Sequence, residues 1–232
     1  MASNSERLTG LAFLPIVATF GFYCLTPKWQ SSIPLQFLPQ ISAFLALGFW
    51  VASNTNRLAK LGLELHKITA GLKWGSVTGI FLGCLNSSVI IYLIPTLGGD
   101  ITFLRNTPHA QLPVWVMMPW FILVIAFAVE LNFRGFQLGR LLTWFLNMEK
   151  DQSQVTPQSQ KFWIGLPLLL SAFTFSFDPF MVSTFGSLHW IALWDGLLWG
   201  WLWIRQTNLY AVFIAHAVEV MILYLTVRAT LL

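Results

Sequence analysis

The chain has 232 residues, of which 56% are hydrophobic and only 9% charged, and its mean hydropathy is +0.67. Soluble domains carry about 25% charged residues, so this composition excludes an ordinary soluble domain. It predicts an integral membrane protein built as one domain over residues 1–232. The net charge of +4 needs no nucleic-acid partner, because it is carried by loop lysines and arginines.

A membrane-crossing helix takes about 20 mainly apolar residues. Lipid offers no partner for free backbone groups, so such runs form helices. The opening MASNSERLTG has no secretory n-region and no small-residue cleavage site, so the first apolar run, residues 8–25, is expected to be a retained span. The second run is 35–53. Residues 57–73 then form an amphipathic stretch, with Leu58, Leu61, Leu65, Ile68 and Leu72 at helical spacing and Lys60, Glu64 and Lys67 opposite. That pattern suits a helix in the headgroup region, or equally one packed on the bundle from the cytoplasm. Further spans follow at 74–97 and at 112–131, the latter continuing as helix to 147. Residues 148–160 (MEKDQSQVTPQSQ) are polar and predict a mobile cytoplasmic loop. Runs 162–177, 188–204 and 209–225 complete the count. The expected fold is therefore an all-α polytopic transmembrane helix bundle of about seven spans, or eight if the short fifth run is split.

Basic residues test this count, since Lys and Arg favour the cytoplasmic side. With the N-terminus inside, Arg7, Arg57, Lys60, Lys67, Lys73, Arg140, Lys150, Lys161 and Arg205 fall inside and Lys28, Arg105 and Arg228 outside, nine against three. The expected location is a bacterial-type inner or an organellar membrane with a cytoplasmic N-terminus. Trp29, Trp50, Trp74 and Trp163 sit near span ends as interfacial anchors would, whereas Trp194, Trp199, Trp201 and Trp203 crowd the sixth span as packing. Cys24 and Cys84 lie in apolar runs, which argues for packing rather than a disulfide framework. No Cys/His cluster has zinc spacing, and neither a metal nor a cofactor is expected.

Five ionisable residues interrupt the apolar runs: Glu130, Arg134, Asp195, His216 and Glu219. A charge in hydrocarbon is costly, several kcal/mol even on lenient scales, so these residues point to an internal polar site. Glu130 and Arg134 are four apart and share a helix face; His216 and Glu219, three apart, share another. If the fourth and seventh spans are neighbours, all four meet in one cavity. A Glu with a His is a general base and polariser for water attack on a carbonyl. On spacing alone the structural alternative is favoured, in which an ion pair between Glu130 and Arg134 and a hydrogen-bonded His pin helices together. Asp195, next to Gly196 near a span start, is better placed for the helix dipole than for chemistry. Ser171, Ser176 and Ser183 lack a G-x-S-x-G elbow.

Residues 129–140, VELNFRGFQLGR, resemble the first motif, E-E-x-x-x-R followed by Gly, of the CAAX protease and bacteriocin-processing (CPBP, or Abi) family of glutamate-type intramembrane endopeptidases. Glu130, Arg134 and Gly135 match. The tail DGLLWGWLWIRQTNLYAVFIAHAVEV is similar to the family's last motif region, with Gly196, Gly200, Trp201, Arg205, His216 and Ala217 in place. The segment LGLELHKITAGLKWG before the third span is also typical, so the resemblance covers roughly residues 61–225.

The departures bear on activity. The resemblance implies that the first Glu of the pair activates water; Val129 stands there. It implies a His in a second motif; SAFTFSFDP offers Asp178 or Pro179 at that position. It implies an Asn four residues after the last His; Val220 stands there, with Glu219 one place short. Valine accepts no proton, and Glu130 points about 100° away from Val129 on a helix. The expectation is a degenerate member that retains a binding cavity for a membrane protein, a transmembrane or lipid-modified peptide, or lipid. It would act as an assembly factor, accessory subunit or regulator of a membrane complex. The alternative is an active endopeptidase in which His216, Glu219 and Asp178 hold the water, with Glu130 assisting. A third option, pigment, quinone or lipid binding, rests on the aromatic crowding alone.

Overall fold

The computed structural model describes residues 6–150 and 157–232. Every regular element among them is helical. Of the loop expected at 148–160, residues 151–156 lie outside the described residues, whereas 148–150 end the Gly139–Lys150 helix and 157–160 open the Pro157–Ser176 helix, so the expected loop is helical at both edges.

Among the described residues three helical stretches are long and apolar enough to cross a membrane: Arg57–Thr96, Ile122–Met148 and Leu209–Leu231. A fourth crossing results if Lys161–Ser176 and Pro179–Leu188, bent by 53°, act together. That is fewer than the seven expected, and the reason is length. Leu38–Ser53 and Ile191–Gln206 each have 16 residues and Phe13–Tyr23 has 11. At 1.5 Å per residue a 16-residue helix measures about 24 Å, against a hydrocarbon core of about 30 Å. The apolar residues that lengthened these runs in sequence, Leu25 and Leu35 among them, lie beyond the long helices or in short turns.

The amphipathic stretch 57–73 is not one helix. A single turn, Arg57–Lys60, is closed by Gly62 at φ +77, with Leu63 N–H donating to the Leu58 carbonyl and Gly62 N–H to that of Ala59. This is a Schellman-type stop. A 3₁₀ turn, Leu65–Lys67, leads into the Ile68–Ser88 helix. Leu58, Leu65 and Leu72 are exposed while Leu61 is buried, so the leucines do not share one covered face.

The chain divides into two compact units where the sequence suggested one domain: Met1–Leu63 with Leu131–Thr207, and Glu64–Glu130 with Asn208–Leu232. In the first unit, Trp50 and Phe136 pack with Ala46, Leu47 and Leu61. Trp50 is wholly buried rather than interfacial. In the same unit the Pro157–Ser176 and Ile191–Gln206 helices meet closely enough that a Cβ on Gly200 would collide with Leu168.

The second unit is built on a glycine seam. Gly71, Gly75, Gly79 and Gly83 recur every four residues along Ile68–Ser88 and face Leu209–Leu231. A Cβ on Gly75 would lie 2.6 Å from the Ala211 carbonyl oxygen, and one on Gly79 2.6 Å from that of Ala215. Only glycine admits such backbone approach, the small-xxx-small device of membrane helices. Asn208 starts the second helix by accepting from Tyr210 N–H at 3.1 Å, and its amide donates to the Lys67 carbonyl at 2.9 Å. At the far end Arg228 donates to the carbonyls of Ala110 and Leu112, and the Tyr224 hydroxyl donates to that of Leu112. Both cysteines are free and exposed, not packed as expected.

Candidate functional site

The Leu209–Leu231 helix presents two polar side chains to two different neighbours. His216 and Glu219 are three residues apart, which separates them by about 60° around the axis. The His216 Nδ1 lies 2.8 Å from Glu130 Oε1. Glu130 ends the Ala126–Glu130 helix and is wholly buried, while the His216 side chain is 12% exposed. Glu219 instead accepts from Asn86 Nδ2 at 2.6 Å; both residues are buried. Glu219 is thus directed to the Ile68–Ser88 helix.

A carboxylate at Nδ1 orients an imidazole ring. That is the base-and-orienter arrangement of hydrolytic triads. The Val129 side chain is half-buried on the same turn as Glu130 and brings no proton acceptor. Among the described residues no group of three or more His, Cys, Asp or Glu gathers as metal ligands would.

The other candidates lie in the first unit, because the boundary falls between Glu130 and Leu131. Arg134 sits in a wide-turned π-helical stretch, Leu131–Leu138, and is wholly buried. Its guanidinium carbon is 4.5 Å from the ring centroid of Phe175, 5.1 Å from that of Trp199 and 5.9 Å from that of Phe133. Gly196 lies beside it: a Cβ there would be at ordinary contact distance, 3.4 Å, from Arg134 Nη2, and closer, at 3.0 Å, to Ala172 Cα. Asp195, beside Gly196 in the Ile191–Gln206 helix, is buried.

Asp178 is a helix cap. Its Oδ1 accepts from the backbone N–H groups of Phe180 and Met181 at 3.1 and 3.3 Å, opening the Pro179–Phe185 helix with proline in its first turn. Gln40 Nε2 donates at 2.6 Å to its oxygens. The Asp-Pro pair is a standard N-cap and N1 combination.

Asn86 and Gln40 were missed by sequence reasoning. A polar amide inside an otherwise apolar helical run was the available signal for Asn86, as an intramembrane carboxylate was for Glu219. Gln40, in a polar-flanked run after Pro39, carried no such signal. No family model, no curated protein and no solved structure matches this chain.

Proposed function

We propose that this chain is a polytopic integral membrane protein, N-terminus cytoplasmic and with about seven crossings, and a degenerate relative of the CPBP intramembrane endopeptidases. It serves as a non-catalytic binding, assembly or accessory subunit of a membrane complex. One observation supports this above others: each acid that might hold a hydrolytic water is already engaged in a direct protein contact. Glu130 meets His216, Glu219 meets Asn86, and Asp178 caps a helix while bonded to Gln40. Each of these contacts turns its carboxylate toward a protein partner, and Val129 stands where the family's base is expected. The clustering of Arg7, Lys60 and Arg140 around Glu6 and Asn54 is consistent with those residues lying on one side of a membrane.

A second reading has its own support. Glu130 holds His216 through Nδ1 at 2.8 Å, and the His216 side chain is not fully covered. An endopeptidase using this dyad is the alternative.

One experiment separates them. Purification in mild detergent, followed by identification of bound membrane proteins, is expected to yield a stoichiometric complex with both the native chain and His216→Gln, whose amide can still donate to Glu130. Glu130→Ala is expected to lower abundance several-fold, since stripping one member from a buried pair costs about 3–5 kcal/mol. Loss of processing of a peptide by folded His216→Gln, with no co-purifying complex, establishes the enzyme instead.

A further inference from the structure

The N-terminal residues of the first unit are held the way a receptor holds a peptide. The Glu6 carboxylate sits against Arg140 Nε at 2.5 Å and accepts from the Trp50 indole N–H at 2.9 Å. Lys60 Nζ is 4.0 Å from its second oxygen. Arg140 and Trp50 are themselves almost wholly buried, with the guanidinium stacked 4.3 Å from the indole centroid and donating to the Lys60 carbonyl. The next residue is gripped through its backbone. Arg7 N–H donates to Asn54 Oδ1 at 2.9 Å, and Asn54 Nδ2 donates back to the Arg7 carbonyl at 2.9 Å. Asn54 is fixed for this by a further bond to the Trp50 carbonyl.

Three features exceed what anchoring a terminus requires. The Glu6 carboxylate is met by two cations, Arg140 and Lys60, and by an indole N–H. The grip is reciprocal and addresses an amide N–H and C=O together, which a lipid headgroup cannot satisfy. The segment leaves the grip through strain, since Leu8 adopts φ +59 with its side chain 48% exposed. A leucine in the left-handed region persists only where its neighbours over-determine it, and such residues cluster at clamps and switches.

We propose that Glu6 and Arg7 occupy in cis a recognition site for an acidic residue and the peptide unit that follows it, and that an acidic segment of a partner protein takes the same site in trans. The cis occupant behaves as a tethered competitor at an effective concentration on the order of millimolar. Its displacement frees Leu8 to leave the left-handed region, which favours exchange. The site is independent of Glu130 and His216, and so of the family resemblance.

The test uses the full chain in nanodiscs of zwitterionic lipid and an acetylated, amidated fluorescent peptide of the chain's own sequence, Ser-Glu-Arg-Leu-Thr. Glu6→Ala is expected to bind it at micromolar concentration and the native chain at least tenfold more weakly. The same peptide with Gln in place of Glu is expected to lose at least tenfold, as is Asn54→Ala placed in the Glu6→Ala background. In the native chain, millimolar peptide should speed amide hydrogen exchange at residues 7–9; this second readout decides the matter if Glu6→Ala does not fold. Equal binding to both chains, indifference to the Glu-to-Gln change, unchanged exchange at residues 7–9, or a gain confined to vesicles of anionic lipid each overturns the proposal.

Discussion

Arg134 illustrates how a single side chain is made tolerable inside an apolar element. Its charge faces aromatic rings on two other helical segments, Phe175 and Trp199. The planar guanidinium suits these faces; an ammonium does not stack and is harder to desolvate. Arg134→Lys is therefore expected to lower stability by about 1–2 kcal/mol, a fall of roughly 2–8 °C in the unfolding midpoint for a chain of this size. Thermal unfolding in detergent checks this, and an unchanged midpoint would remove the stacking argument. Helical spacing, a local property, put Glu130 and Arg134 on one face and His216 and Glu219 on another, but the contact of Glu130 with His216, 86 residues apart, depends on which helices are neighbours. Asp178 was legible as an acid in a motif-like segment but not as a cap, because its role depends on where the preceding helix stops. Phe177 and Asp178 close the end of Pro157–Ser176 through bonds to Phe173 and Phe175, and no residue type in FSFDP announces that bend.

At the level of elements the glycine seam is the strongest organiser. Its four-residue period was in the sequence throughout, but read as hydropathy it is nearly invisible, since glycine scores as neither apolar nor charged. What exposes it is contact: backbone carbonyls of Ala211 and Ala215 stand where side chains would be. Gly79→Leu is expected to cost at least about 1–3 kcal/mol through overpacking against backbone that cannot yield. Gly48, in the Leu38–Ser53 helix, has no atom within 4 Å of its would-be Cβ. There Gly→Ala should stabilise by about 0.5–1 kcal/mol, from reduced freedom of the unfolded chain. Unfolding midpoints of the two variants should move in opposite directions. The same reasoning explains the span count. Hydropathy windows detect apolar composition but not helix ends, and the ends here are set by prolines, by Gly62 and by Thr207 at φ +45.

For the whole molecule, the charge bias and the helix lengths make different demands on residues 8–53. Phe13–Tyr23 and Leu38–Ser53 are short for a full crossing, yet the seven-span reading sends them across and back and puts Lys28 outside. A tilt toward the normal, local thinning of the bilayer, or snorkelling of flanking residues accommodates short helices at modest cost. With Cys24 and Cys84 changed to Ser, a Lys28→Cys variant is expected to react with a membrane-impermeant maleimide applied to intact cells. Labelling only after permeabilisation would mean that these helices dip and return, leaving the parity of the later spans unaltered.

The order in which the second unit receives its parts has a cost during synthesis. The glycine face of Ile68–Ser88 is complete long before the Leu209–Leu231 helix that covers it. About 120 residues separate them, which at roughly 5–20 residues per second leaves that face waiting on the order of ten seconds. For that interval a strip of bare peptide backbone stands in the insertion machinery or the lipid without its mate. A ribosome that stalls before the last helix releases a chain whose most adhesive surface is uncovered, and quality-control proteases of the membrane would meet it in that condition.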